Sequence, residues 1–127
     1  MCGINGIIFK TSKTDVSKII KMNALLDHRG PDDRGFINHK NLLLGHTRLS
    51  IIDTSNLGSQ PMSVDGRYWI IYNGEIYNYK TLREELILKK YKFYSNSDTE
   101  VVLNAYKEWG VDSFQKFNGE WSFAILD

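Results

Sequence analysis

The chain has 127 residues, 42% of them hydrophobic and 13% aromatic, which suits one globular domain with a buried core. Its 16 basic and 15 acidic residues leave a formal charge of +1, so composition gives no support to a nucleic-acid or anionic-membrane partner. A single cysteine excludes an internal disulfide and a cysteine-rich zinc site, and with no signal-like start or membrane-length apolar run the chain is expected to be cytoplasmic.

The chain opens Met1-Cys2-Gly3-Ile4-Asn5-Gly6. Cys2 is small enough for the initiator methionine to be trimmed away. A cysteine at the terminus then carries a thiol and a free α-amine together, a nucleophile and its base in one residue. Their reference pKa values, about 8.5 and about 7.7–8.0, let a proton pass between them near neutrality. Gly3 leaves room for a substrate over the sulfur. Read alone, such a cysteine is more often an inert thiol at a frayed end. Ile4 to Phe9 reads as a buried strand running into a polar turn at Lys10 to Thr14. Asp15 can cap a helix whose Val16, Ile19, Ile20, Asn23 and Leu26 recur at spacings of three and four, and which stops before Gly30-Pro31. The loop His28-Arg29-Gly30-Pro31-Asp32-Asp33-Arg34-Gly35 holds more charge and more backbone-shaping residues than a plain connection needs.

Leu42 to Asp53 reads as one strand, and Arg48 within it either snorkels from the strand end or points inward at a carboxylate. A loop over Thr54 to Met62 and a turn at Asp65-Gly66 lead to a strand over Arg67 to Tyr72. Asn73-Gly74-Glu75 then reads as a tight turn or as an oxyanion site. In the second case the Gly74 N–H and the Asn73 amide face one developing negative charge. Thr81 to Lys89 is a predicted helix. Ser97-Asp98-Thr99-Glu100 has the form of a capping box before a helix with Val101, Val102, Ala105, Tyr106 and Trp109 on one face, closed by Gly110. Asp98 falls in its first turn, where the helix dipole favours a carboxylate. A short helix over Val111 to Phe117, a turn at Asn118-Gly119 and a last strand over Trp121 to Leu126 complete the chain.

Taken together, these motifs carry a resemblance. Cys2-Gly3-Ile4, His28 to Asp32, Gly45 to Asp53, Gln60-Pro61-Met62, Asn73 to Asn78, Ser97 to Glu100 and Phe123-Ala124 stand in the order seen in class II glutamine amidotransferases. The chain is similar from end to end to the N-terminal glutaminase domain of glutamine-hydrolysing asparagine synthetases. The resemblance implies an α+β N-terminal-nucleophile hydrolase fold, a four-layer αββα sandwich of antiparallel sheets, with residues 1–127 the N-terminal part of a glutamine amidotransferase type 2 domain. The family pattern continues past Phe123-Ala124 into an Arg-Asp-x-x-Gly-x-x-Pro-Leu-Tyr-like segment, so the fold is expected to be incomplete at its C-terminus.

The resemblance also implies hydrolysis of the side-chain amide of free L-glutamine. Cys2 is the implied nucleophile, and Asn73 and Gly74 the implied oxyanion stabilisers. Arg48 is expected on the substrate's α-carboxylate, Asp98 and Glu75 on its α-ammonium, and Ile51 and Ile52 along the pocket by their backbone. No metal or cofactor is expected for this half-reaction; ATP and Mg belong to a synthetase domain, the implied partner and user of the ammonia. Self-association into a homo-oligomer is left open. Rival readings are a cysteine hydrolase with His46 or His28 as base, and a non-catalytic module that binds glutamine.

Overall fold

A computed structural model describes residues 1–127. In chain order it contains β1 (Gly3–Ile8), α1 (Val16–Leu25), β2 (Asp33–His39), β3 (Leu42–Arg48), β4 (Trp69–Ile76), α2 (Tyr79–Leu88), α3 (Asp98–Trp109) and β5 (Gly119–Leu126), with short 3-10 turns over Asn56–Gly58 and Gly110–Lys116. The apolar runs become the central strands, as burial on both faces requires. β3 lies between β1 and β2, antiparallel to both, and is buried from Leu43 to Arg48. β4 and β5 form a second antiparallel pair.

The side chains of β3 alternate between two neighbours. Thr47 points to one side, where its hydroxyl donates to Leu26 O just past α1 at 3.2 Å. Ile19 and Asn23 bury the inner face of α1 against the same sheet, and Asn23 Nδ2 donates to Gly35 O at 3.0 Å. His46 and Arg48 point the other way, toward β4. On β4 the alternation puts Ile70, Tyr72 and Ile76 on the far face. There they join Leu82 and Leu86 of α2 and Val101, Val102, Leu103 and Ala105 of α3 in the main hydrophobic core. The layers therefore run α1, first sheet, second sheet, α2 with α3, which is the expected αββα order.

Several sequence-based expectations are corrected. β2 lies where a loop through Gly35 was expected; as an edge strand exposed on one face it carries only Phe36 and Ile37 as large apolar residues, too few to show a period. β3 ends at Arg48, not Asp53, because the chain beyond it is drawn out of the sheet: Ser50 N donates to Asp32 Oδ2 at 2.7 Å and the Arg48 guanidinium donates to Ser55 O and Asp53 O. Asn73-Gly74 is no turn, since β4 runs through it with Asn73 opposite Ser122 and Gly74 opposite Trp121. The capping box forms by half. Ser97 Oγ accepts from Thr99 N at 3.0 Å, but Glu100 reaches past the cap to Ser95 N at 2.7 Å and Tyr94 N at 2.9 Å, tying down the preceding loop. α2 starts two residues earlier than Thr81, at Tyr79.

Candidate active site

The geometry of the site follows from β4 having a partner on one edge only. In an antiparallel pair, backbone groups point alternately toward the partner and away from it. Along the unpartnered edge, Ile70 exchanges hydrogen bonds with Met62 at 2.9 Å each way, and Tyr72 N donates to Gln60 Oε1 at 2.6 Å. Tyr72 O contacts His46 Nε2 at 3.1 Å, and Ile76 N donates to Asp98 Oδ2 at 3.1 Å. Gly74 lies between Tyr72 and Ile76 on this edge, so its N–H points outward without a strand to receive it. A side chain is excluded at this position, because a Cβ on Gly74 would collide with Glu120 O and come within 2.7 Å of Trp121 Cα.

A cavity of about 170 Å³ wraps around that edge. It is lined by Cys2, Asn73, Gly74, Arg48, Ile51, Ile52, Glu75 and Asp98, all eight residues singled out from the sequence. They come from the start of the chain, the end of β3 and the loop beyond it, β4, and the first turn of α3.

Cys2 is half-buried, and its sulfur receives the Leu49 N–H at 3.4 Å. Arg29 Nε donates to Cys2 O at 2.9 Å, holding the residue from its backbone side. Arg48 is buried, and its guanidinium donates to Ser55 O at 2.8 Å and to Asp53 O. Gly58 makes room for it, since a Cβ there would strike Nη2. The five salt bridges of the chain do not include Arg48, so this buried cation has carbonyl partners and no direct ion pair; the Asp53 carboxylate feels its charge from farther off. Asp98 is the complement, a buried carboxylate that accepts from Tyr72 Oη at 2.8 Å and from Ile76 N but has no cation. Burial pushes its carboxyl above the usual carboxylate range, against the pull of those two hydrogen bonds. Burial, reinforced by the Asp98 charge, likewise pushes the Tyr72 phenol far up, so it stays a proton donor.

Neither histidine of the rival reading lines the cavity. His28 is exposed. His46 is fully buried, and burial pushes it down to about 4, so its ring is neutral and its Nε2–H donates to Tyr72 O. Sequence reasoning assigned no role to Tyr72, Gln60, Arg29 or the Leu49 backbone, all of which shape the site. Gln60, Arg29 and Leu49 belong to the quoted motifs, whereas nothing in the local sequence marks Tyr72. No group of three or more His, Cys, Asp or Glu side chains is arranged to hold a metal ion, and no helix is long and apolar enough to cross a membrane.

A terminal-region cysteine between two facing antiparallel sheets, with helices outside, defines the N-terminal-nucleophile hydrolase fold. The same fold occurs in the glutamine phosphoribosylpyrophosphate amidotransferase of B. subtilis solved with ADP and GMP. That structure superposes with a TM-score of 0.76 over 97% of this chain and 34% of its own, at 20% identity. Residues 1–127 match the glutamine amidotransferase domain, and the chain belongs to that family. Among its relatives are a glutamine-hydrolysing asparagine synthetase of Bacillus subtilis, 45% identical over 98% of this chain, and a putative one of Methanocaldococcus jannaschii, 43% identical over all of it. The chain spans 20% and 28% of the lengths of those two proteins.

Proposed function

We propose that this chain is the glutaminase part of an amidotransferase, hydrolysing the side-chain amide of free L-glutamine through a thioester on Cys2. The observation that carries the reading is the charge pattern of the cavity: a buried guanidinium and a buried carboxylate, neither in a direct ion pair, flanking a thiol. A free amino acid supplies both missing charges, its α-carboxylate to Arg48 and its α-ammonium to Asp98, with Glu75 nearby. A glutamine within a peptide has neither and is rejected.

With Met1 removed, the α-amine of Cys2 takes the thiol proton and the sulfur attacks the amide carbon. The carbonyl electrons move onto oxygen, where Asn73 and the unpaired Gly74 N–H receive the negative charge. Collapse breaks the C–N bond, and the amine returns its proton to the departing ammonia. Water then attacks the thioester by the same route, restoring the thiol and releasing glutamate. The backbone of Ile51 and Ile52 closes the pocket over the substrate. The ammonia passes to an ATP-dependent domain of asparagine synthetase type, where ATP and Mg would act. The test is glutamate production by the intact, methionine-free protein and by Cys2→Ala. Wild type should release glutamate and, given hydroxylamine, form γ-glutamyl hydroxamate, while Cys2→Ala does neither; glutamine binding without glutamate release in wild type overturns the proposal.

A further inference from the structure

Each polar group of Tyr72 is engaged. Its N–H goes to Gln60 Oε1, its carbonyl takes the His46 Nε2–H, and its hydroxyl donates to Asp98 Oδ2. Only 2% of the residue is exposed. The phenol comes from β4, across a packing layer from α3, so this contact exists only because the sheet and the helix are docked. Asp98 Oδ2 takes both the Tyr72 hydroxyl and the Ile76 N–H, and Asp98 lines the cavity.

We propose that Tyr72 is a positioning residue for recognition of the substrate's α-ammonium: its hydroxyl locks the Asp98 carboxylate in one rotamer and keeps it charged at the cavity wall. The inference rests on the proposed role of Asp98. A carboxylate 5% exposed would otherwise trade its charge for a proton. The groups facing Asp98 around the cavity do not supply that support. Glu75 and Glu120, from β4 and β5, carry the same sign, as does Asp53 in the loop after β3. Arg48 donates to two carbonyls and makes no ion pair with Asp98, and Glu100, on Asp98's own helix, is bound to Tyr94 and Ser95. The Tyr72 hydroxyl is the one side-chain donor; the others are backbone N–H groups, of Ile76 and of Thr99 and Asp98 at the helix start.

The test is Tyr72→Phe in the intact, methionine-free protein, compared with Asp98→Asn and the double variant. A hydrogen bond to a charged group has a value that corresponds to roughly tenfold or more in binding. KM for glutamine should therefore rise on the order of tenfold in Tyr72→Phe, with kcat within about threefold of wild type. The acid limb of kcat/KM should move to higher pH, because Asp98 loses a donor that favours its charged form. Glutamine lacking its α-amino group, 4-carbamoylbutanoate, should be used equally poorly by wild type and Tyr72→Phe, and the double variant should match Asp98→Asn. Tyr72→Met, which fills the core differently, should reproduce the loss of discrimination. If Asp98→Asn leaves KM unchanged, the assignment of Asp98 fails. If Asp98→Asn raises KM while both Tyr72 variants keep the wild-type acid limb and discrimination, the role of Tyr72 is overturned.

Discussion

Replacing Arg48 by methionine separates a structural role from a binding role because the two predict opposite balances. In the ligand-free protein the change removes a guanidinium that is buried and in no direct ion pair. Its hydrogen bonds to Ser55 O and Asp53 O contribute about 1.5–3 kcal/mol each as charge-assisted bonds. Against this stands the desolvation of the cation, several kcal/mol for a buried ion. The two terms nearly offset, so the folded state should lose no more than about 2 kcal/mol. With glutamine bound the balance differs, since the α-carboxylate is left in the pocket without its partner. Breaking such a pair costs about 3–5 kcal/mol, or roughly 150- to 5,000-fold in kcat/KM. The assay is steady-state glutamate release at several glutamine concentrations, beside urea unfolding of the same samples. The expected result is a KM raised at least about a hundredfold with the unfolding midpoint little changed. A KM within threefold of wild type together with a large loss of stability would refute the reasoning and make Arg48 a loop anchor.

Protein that keeps Met1 has an amide at the Cys2 nitrogen and should release no glutamate, which intact mass and activity on the same sample would reveal. Gly74→Ala drives a Cβ into Glu120 O and shifts the N–H beside the reacting carbon; kcat should fall about 100-fold or more with KM changed far less. Asn73→Ala should lose about 100- to 1,000-fold in kcat, and equal loss in KM instead would place Asn73 in substrate binding. His46 is held down to about 4 in the fold against an unfolded value near 6.5, so the unfolded chain binds the extra proton between those limits. Its contribution to stability is complete above about pH 6.5 and is lost as pH falls toward 4, roughly 3 kcal/mol across the window. Asp98, raised by burial, acts with the opposite sign, so the quantity to read is the difference between wild type and His46→Gln in urea midpoints at pH 7 and pH 5. Equal pH slopes would remove His46 as their source.

The long periodic segments were legible because their pattern repeats. α1, with its Asp15 cap, ends at Leu25, ahead of the Gly30-Pro31 stop, and α3 runs from a Ser97 cap to Gly110. β2 was not legible, because an edge strand needs few apolar residues. Of the two readings of Asn73-Gly74, the turn fails: that dipeptide favours one locally, but pairing with β5 overrides the preference. Among the site residues, Cys2, Arg48, Asn73 and Asp98 could be named because their motifs resemble a family. Their chemistry in isolation was ambiguous: Arg48 read as a snorkelling side chain and Asp98 as a helix-cap acid.

The order of elements, the lone thiol beside the initiator and the identity of the charged residues belong to the sequence, since each is local or a matter of composition. What only the tertiary structure decided is which charges lack partners. Arg48 and Asp98 are far apart in the chain, and whether each finds a counter-ion depends on what the docking of β3, β4 and α3 brings within reach. The free Gly74 N–H has the same origin, because a backbone donor is unpaired only when the sheet supplies no strand on that side. Tyr72 becomes part of the site for this reason too: its hydroxyl meets Asp98 across a layer boundary that no stretch of sequence contains.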